Sequence, residues 1–155
     1  MVPLKVEFMI NFAIYFILSF FGMEAMAWFL HKYVMHGFLW KLHYDHHVIP
    51  KDRRWQYNDF FALVFFAPSF FSILFGSLKS NYSLLGFGYG IMAYGIAYFL
   101  VHEVIIHRRW KFFKHPDWKY FQWLVKAHRD HHSKKDRKGC NNFGMLLLNS
   151  RPWNN

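Results

Sequence analysis

The sequence predicts an all-α integral membrane protein with about three transmembrane helices, and three observations carry the prediction. Apolar residues gather into three runs, each long enough to cross a bilayer. The chain is 54% hydrophobic and 23% aromatic, with twenty Phe among 155 residues, more apolar surface than a water-soluble domain of this size needs. The positive charge is confined almost entirely to two polar stretches that flank the runs.

The first run covers residues 8–30, about 34 Å of helix at the usual rise. Lys5, the run itself and Ala25-Met26-Ala27 imitate a cleaved signal. The run nevertheless continues through Trp28-Phe29-Leu30, and cleavage would remove the helix that carries His31, so a retained anchor is expected. The second run, 58–76, contains Pro68, a natural place for a kink. The third covers 84–101. The polar connector 77–83 between them is short, which makes the second and third spans a hairpin. Gly86, Gly90, Ala93 and Ala97 are small residues at helical spacing, suited to close internal helix packing rather than to a dimer. The length is that of a single domain, 1–155.

The net charge is +10. Of nineteen Lys and Arg, only Lys5 and Lys79 lie outside 31–56 and 107–151. That placement is the positive-inside bias of a membrane protein, not a nucleic-acid patch, and it makes the basic face cytoplasmic. The seven Trp sit at or beyond the same face. Residues 110–126 mix Trp, Phe and Tyr with Lys, as an interfacial amphipathic helix or a packed cap would. Three spans bring the ends of the first and third to one side, so the histidines that follow them converge in a cytosolic helical cap. Cys140 is the only cysteine, which rules out an intrachain disulfide and reads as an idle thiol.

Ten of the eleven histidines form a repeat. His31-x4-His36 precedes His43-Tyr44-Asp45-His46-His47, and His102-x4-His107 precedes His128-Arg129-Asp130-His131-His132. His115 stands outside it and reads as a surface residue. Residues three and four apart meet on one helix face, so each H-x-D-H-H turn is expected to present three imidazoles together. The H-x4-H pairs differ, since five residues advance an α-helix by about 500° and leave the rings about 140° apart. Either the helix end is distorted, or the two rings serve different metals across a cavity; the second suits a two-metal site. Ten imidazoles exceed one ion's needs and suit two, giving one half-site from 31–47 and one from 102–132. Imidazole accepts iron, zinc, copper or nickel, so spacing alone leaves the element open.

These residues resemble the membrane fatty acid hydroxylase superfamily, the histidine-box di-iron oxygenases, and within it the bacterial β-carotene hydroxylases. Glu24-x3-Trp28-x2-His31-Lys32-Tyr33-Val34-Met35-His36-Gly37 is similar to the first box. His102-Glu103-Val104-Ile105-Ile106-His107-Arg108-Arg109-Trp110 is similar to the third. Ala127-His128-Arg129-Asp130-His131-His132, with Gly139 and Phe143-Gly144, is similar to the last box and tail. One departure is Asn141-Asn142, more polar than the family's tail. The resemblance implies two iron ions held by the ten histidines, with O2 as co-substrate and an external electron donor such as ferredoxin. It implies a carotenoid substrate, hydroxylated at C3 of its β-ionone rings to β-cryptoxanthin and zeaxanthin, in the bacterial inner membrane. Rival readings are a fatty acid or sterol hydroxylase, a carotenoid ketolase, or a membrane metal transporter. The last would need polar groups through the bilayer, and Glu24 is the one acidic residue deep in a span.

Four further sites follow from position. Glu24, about two helical turns before His31, is a candidate to support a ligand, the alternative being a protonated packing residue. Asp45 and Asp130 point about 200° from the first histidine of their clusters, as solvated residues would. Glu103, beside His102, is either support or packing. Arg108, Arg109 and Lys111 suit anionic lipid, with an acidic electron-transfer partner such as ferredoxin as the alternative.

Overall fold

The computed structural model describes residues 4–48, 55–111, 117–147 and 149. All regular structure among them is helical. Helix α1, Leu4–Phe29, passes directly into a π-helical segment, Leu30–Phe38, and then α2, Trp40–Val48. A 3-10 turn, Tyr57–Phe61, opens α3, Ala62–Leu78. Helix α4, Tyr82–Phe99, continues into a second π-helical segment, Leu100–Ile106, and α5 is Lys119–His132. His115 and Trp153 lie outside the described residues.

Three stretches are long and apolar enough to cross a membrane: Lys5–Phe38, Tyr57–Leu78 and Tyr82–Ile106. The first and third outrun the predicted spans because the π segments prolong α1 and α4. Large apolar side chains face outward along all three, among them Leu18, Phe66 and Ile96. Such surface is stable in lipid, where a helix satisfies its own backbone. The protein is an integral membrane protein.

The described chain divides into two compact units. The first comprises Met1–Met23 and Phe60–Ala97, and small residues set its packing. A Cβ on Gly86 would strike the Phe12 carbonyl, and one on Gly90 the Ser19 hydroxyl and the Phe16 carbonyl. One on Gly88 would come within 3.0 Å of the Ser69 carbonyl, while Ser69 Oγ donates to the Gly88 carbonyl at 2.9 Å. The small-residue pattern therefore serves internal packing, as its spacing predicts. Pro68 lies inside α3. The α3–α4 hairpin is also as expected, and Asn81 fixes where α4 starts: its side chain accepts the Leu84 N–H at 2.9 Å, the usual satisfaction of a free helix N-terminus.

The second unit, Glu24–Asp59 with Tyr98–Asn155, holds all ten repeat histidines. Its core is Val101, Leu124 and Met145, flanked by Tyr98, Ile106 and Phe121. Helix α5 buries Leu124, Ala127, His128 and His131, a stripe at helical period, so the core and two histidines share one face. Within 110–126, helix begins at Lys119.

Gly90→Val is expected to lower the thermal midpoint of the detergent-solubilised protein by the equivalent of about 1–3 kcal/mol, the usual cost of overpacking. Gly22→Ala, whose Cβ meets nothing within 4 Å, is expected to leave the midpoint unchanged or raise it.

Candidate metal centre

Both H-x4-H pairs lie on π-helical turns, which resolves the spacing problem by the route the sequence made second choice. In a π-helix residues five apart are hydrogen-bonded and stand above one another. The His107 N–H donates to the His102 carbonyl at 2.9 Å, and the Leu39 N–H to Val34 at 3.0 Å. His31 and His36 therefore face the same way, with ring centroids 5.2 Å apart, and His102 and His107 are 4.5 Å apart. Each pair serves one cluster instead of bridging two. Gly37, with φ −99° and ψ −124°, ends the first π turn and redirects the chain into α2.

The histidines converge in two groups. Ligand nitrogens of His31, His36, His43, His47 and His131 lie within 4.8 Å of one another, as do those of His46, His107, His128 and His132. His102 adjoins the second group, its Nε2 facing His46 Nε2 at 3.2 Å. The half-sites are thus not the two repeats. Each cluster takes four histidines from one repeat and one from the other, His131 crossing one way and His46 the other. Helix geometry is the reason. Successive residues are about 100° apart, so His43 and His47 share a face while His46 turns to the neighbouring cluster. In α5 His128 and His132 stay together and His131 crosses. The clusters abut, with the rings of His47 and His132 stacked at 4.3 Å.

Seven of the ten imidazoles are aimed from behind through Nδ1. His31 donates to the Phe143 carbonyl at 3.0 Å, His36 to Arg137 at 3.3 Å, His47 to Lys134 at 3.1 Å and His131 to Asn141 at 2.7 Å. Those four oxygens belong to one strap of backbone, 134–143. His43 Nδ1 meets Asn58 Oδ1 at 2.6 Å, His46 meets Gln56 Oε1 at 2.7 Å, and His102 meets Glu103 Oε1 at 2.6 Å. Asn142 explains the polar departure in the tail. Its φ of 60° is left-handed, a conformation Asn tolerates better than most residues. It lies between the two carbonyls that serve His131 and His31.

A carbonyl only accepts, so each ring bonded to one carries its proton on Nδ1 and a lone pair on Nε2. The Nε2 atoms of His36 and His131 are nevertheless 3.1 Å apart. Those of His43 lie 3.2 Å from His31 and 3.2 Å from His47, and His107 and His128 face at 2.9 Å. Among the described residues His132 Nε2, which is buried, has no hydrogen-bond partner. Lone pairs so placed repel one another unless a cation lies among them. Burial also disfavours protonation of these rings: it pulls His47 down to about 4 and His131 to about 3, and it holds His43, His46, His107, His128 and His132 well below the ordinary histidine value. Nitrogen-rich, neutral and oriented, the donor sets fit divalent transition ions. A cavity of about 210 Å³ borders both clusters, walled by His46, His47 and His132 beside Arg109 and Arg129.

The supporting residues depart from expectation. Asp45 is buried, not solvated, and accepts the Tyr57 N–H at 2.6 Å. It thereby pins the segment that carries Gln56 and Asn58. Asp130 is exposed, as expected. Arg109 is no lipid contact: it forms ion pairs with Asp59 and Glu103, each at 2.8 Å. Glu24 accepts the backbone N–H groups of Met145, Leu146 and Leu147 at 2.8–3.1 Å, anchoring the strap's far end. Cys140 is buried and its thiol pushed up by burial. The strap escaped sequence reading because backbone oxygens carry no residue signature.

Residues 16–149 match the fatty acid hydroxylase family model. A β-carotene hydroxylase of Pantoea ananas is 42% identical over 125 residues, 81% of this chain and 70% of that protein. One from Pseudescherichia vulneris is 40% identical over 84% of this chain and 73% of its own length. A chloroplastic β-carotene 3-hydroxylase of an Oncidium hybrid is 37% identical over 74% of this chain and 38% of its own. No solved structure matches the chain.

Two outcomes follow from this geometry. The unfolded chain takes up protons near the ordinary histidine value of 6.5, whereas folded His47 and His131 resist them to about 4 and about 3. The metal-free protein is therefore expected to be most stable above pH 6.5 and to lose stability as pH falls through that window, measured as its unfolding midpoint across the range. Asn142→Val is expected to cost about 1–3 kcal/mol through left-handed strain and to lower bound metal by elemental analysis, while Asn142→Gly retains both.

Proposed function

The chain belongs to the fatty acid hydroxylase family, and we propose that it is a β-carotene 3-hydroxylase. In this reading it is an O2-dependent membrane monooxygenase that converts β-carotene to β-cryptoxanthin and then zeaxanthin. The substrate comes from the names of its relatives, bacterial and plant. The observation that carries the chemistry is the His36–His131 pair, two Nε2 lone pairs at 3.1 Å with both protons committed to carbonyls.

His31, His36, His43, His47 and His131 would hold one iron ion, and His46, His102, His107, His128 and His132 the other. Bound iron with O2 supplies the oxidising power to functionalise an unactivated ring carbon, which no carboxylate or imidazole can do. The chain's own part is to orient ten rings and to keep them neutral in a water-poor interior. An apolar carotenoid dissolves in the bilayer, and the three apolar helices put the protein where that substrate is. Electrons come from an external donor. The exposed cations Arg129, Lys134, Lys135 and Lys138 suit an acidic protein such as a ferredoxin. The positive-inside bias supports a cytoplasmic position for this face, and the bacterial relatives support the inner membrane. We treat 1–155 as one catalytic domain.

Expression in cells that accumulate β-carotene is expected to yield zeaxanthin by chromatography. Unchanged β-carotene beside an altered lipid would overturn the assignment, and a C4 ketone would make the protein a ketolase. Alanine at His43, His47, His128 or His132 is expected to abolish hydroxylation and lower metal content while membrane insertion persists. Full activity and full metal content in these variants would sink the ligand assignment.

A further inference from the structure

The two clusters are backed by different chemistry. In the first, four Nδ1 atoms reach backbone carbonyls and the fifth reaches Asn58, so every described Nδ1 partner is neutral. In the second, His102 donates to the carboxylate of Glu103 at 2.6 Å. Arg109 grips the other Glu103 oxygen at 2.8 Å and both oxygens of Asp59 at 2.8 Å. Asp59 also accepts the Gln56 N–H at 3.0 Å, and the Gln56 side chain meets His46. The path closes on itself, because His46 and His102 face each other through Nε2 at 3.2 Å. Arg109 is nearly sealed from solvent, its side chain 4% exposed, with that of Glu103 at 10%.

Two carboxylates against one guanidinium leave one net negative charge behind the second cluster. A carboxylate behind a ligating imidazole raises the ring's basicity and fixes its orientation, and loss of such a partner typically weakens metal affinity ten- to a hundredfold. His102 takes one Glu103 oxygen and Arg109 the other, so both oxygens are engaged and the carboxylate is held in one orientation against the ring.

We infer that the two metal positions are unequal: Glu103, locked by Arg109 and Asp59, is a positioning residue that makes the His46–His102–His107–His128–His132 position the tighter, first-filled and more electron-rich of the two. The inference rests on the metal reading above. It adds a division of labour, with one ion held by charge and the other by backbone dipoles of the strap. If the ion-pair cluster were merely a structural tie between the Tyr57–Phe61 turn and the end of the second π segment, its loss would lower stability without choosing between the ions.

The test uses the full-length protein in detergent, stripped of metal and titrated with Co(II), followed by elemental analysis and electronic absorption. The wild type is expected to bind two ions per chain in two resolved steps. Glu103→Gln, which keeps the size and an acceptor oxygen but loses the charge, is expected to weaken the first step ten- to a hundredfold. It should also shift the ligand-field bands of that ion alone. Asp59→Asn acts on the same step in the same direction and serves if Glu103→Gln does not fold. Asn142→Val, on the strap, is expected to weaken the other step. Equal weakening of both steps by Glu103→Gln or Asp59→Asn, or no weakening of either, overturns the inference while leaving a two-metal site in place. Failure of the wild type to bind any Co(II) overturns the metal reading itself.

Discussion

A neutral imidazole has one N–H and one lone pair, and the fold decides where each goes. Seven rings commit Nδ1 outward to an oxygen, so their Nε2 lone pairs meet inside the unit. Mutual repulsion there is a cost that folding alone does not relieve. A cation held among them would relieve it, and metal loading would then add to the stability of this unit. The strap 134–143, the Gln56–Asn58 segment and the Glu103–Arg109–Asp59 ion pairs all act as outward anchors for the rings. Glu24 and Asp45 work one step further out, holding the backbone that holds the histidines.

The π segments answer a second constraint. Each span ends where its first histidine begins, and an α-helical end would send the second histidine of each pair away from the first. Widening a single turn returns it. The price in hydrogen-bond geometry is confined to the last turns of two long helices, Leu30–Phe38 and Leu100–Ile106. The rest of α1 and α4 remains regular, and in the first unit α4 packs closely through Gly86 and Gly90.

Much of this was legible before any coordinates. Hydrophobic runs marked the spans, a short polar connector marked the α3–α4 hairpin, and small residues marked a close approach. The histidine repeat marked the site. The geometry within the repeat was less legible. H-x4-H was itself the trace of the π turns, but an α-helical reading turned it into a bridge between metals. Charge patterning also misled at Arg109, since a basic residue near a membrane end looks like a lipid contact until a carboxylate fifty positions away is brought to it. Asp45 looked solvated because helix phase says which way a residue points but not what packs there. Asn141-Asn142 looked like a flaw in the tail, and Asn142 is where the backbone adopts its left-handed turn.

The crossing of His46 and His131 has a consequence for how such a chain could arise or be divided. Two matching repeats suggest two independent modules, each able to bind an ion by itself. Severed in the turn between α3 and α4, however, neither fragment would possess a complete histidine cluster. The amino-terminal piece would lack His131 and the carboxy-terminal piece His46. The halves are entangled through these histidines, so a single repeat completes neither cluster unless a second copy stands beside it.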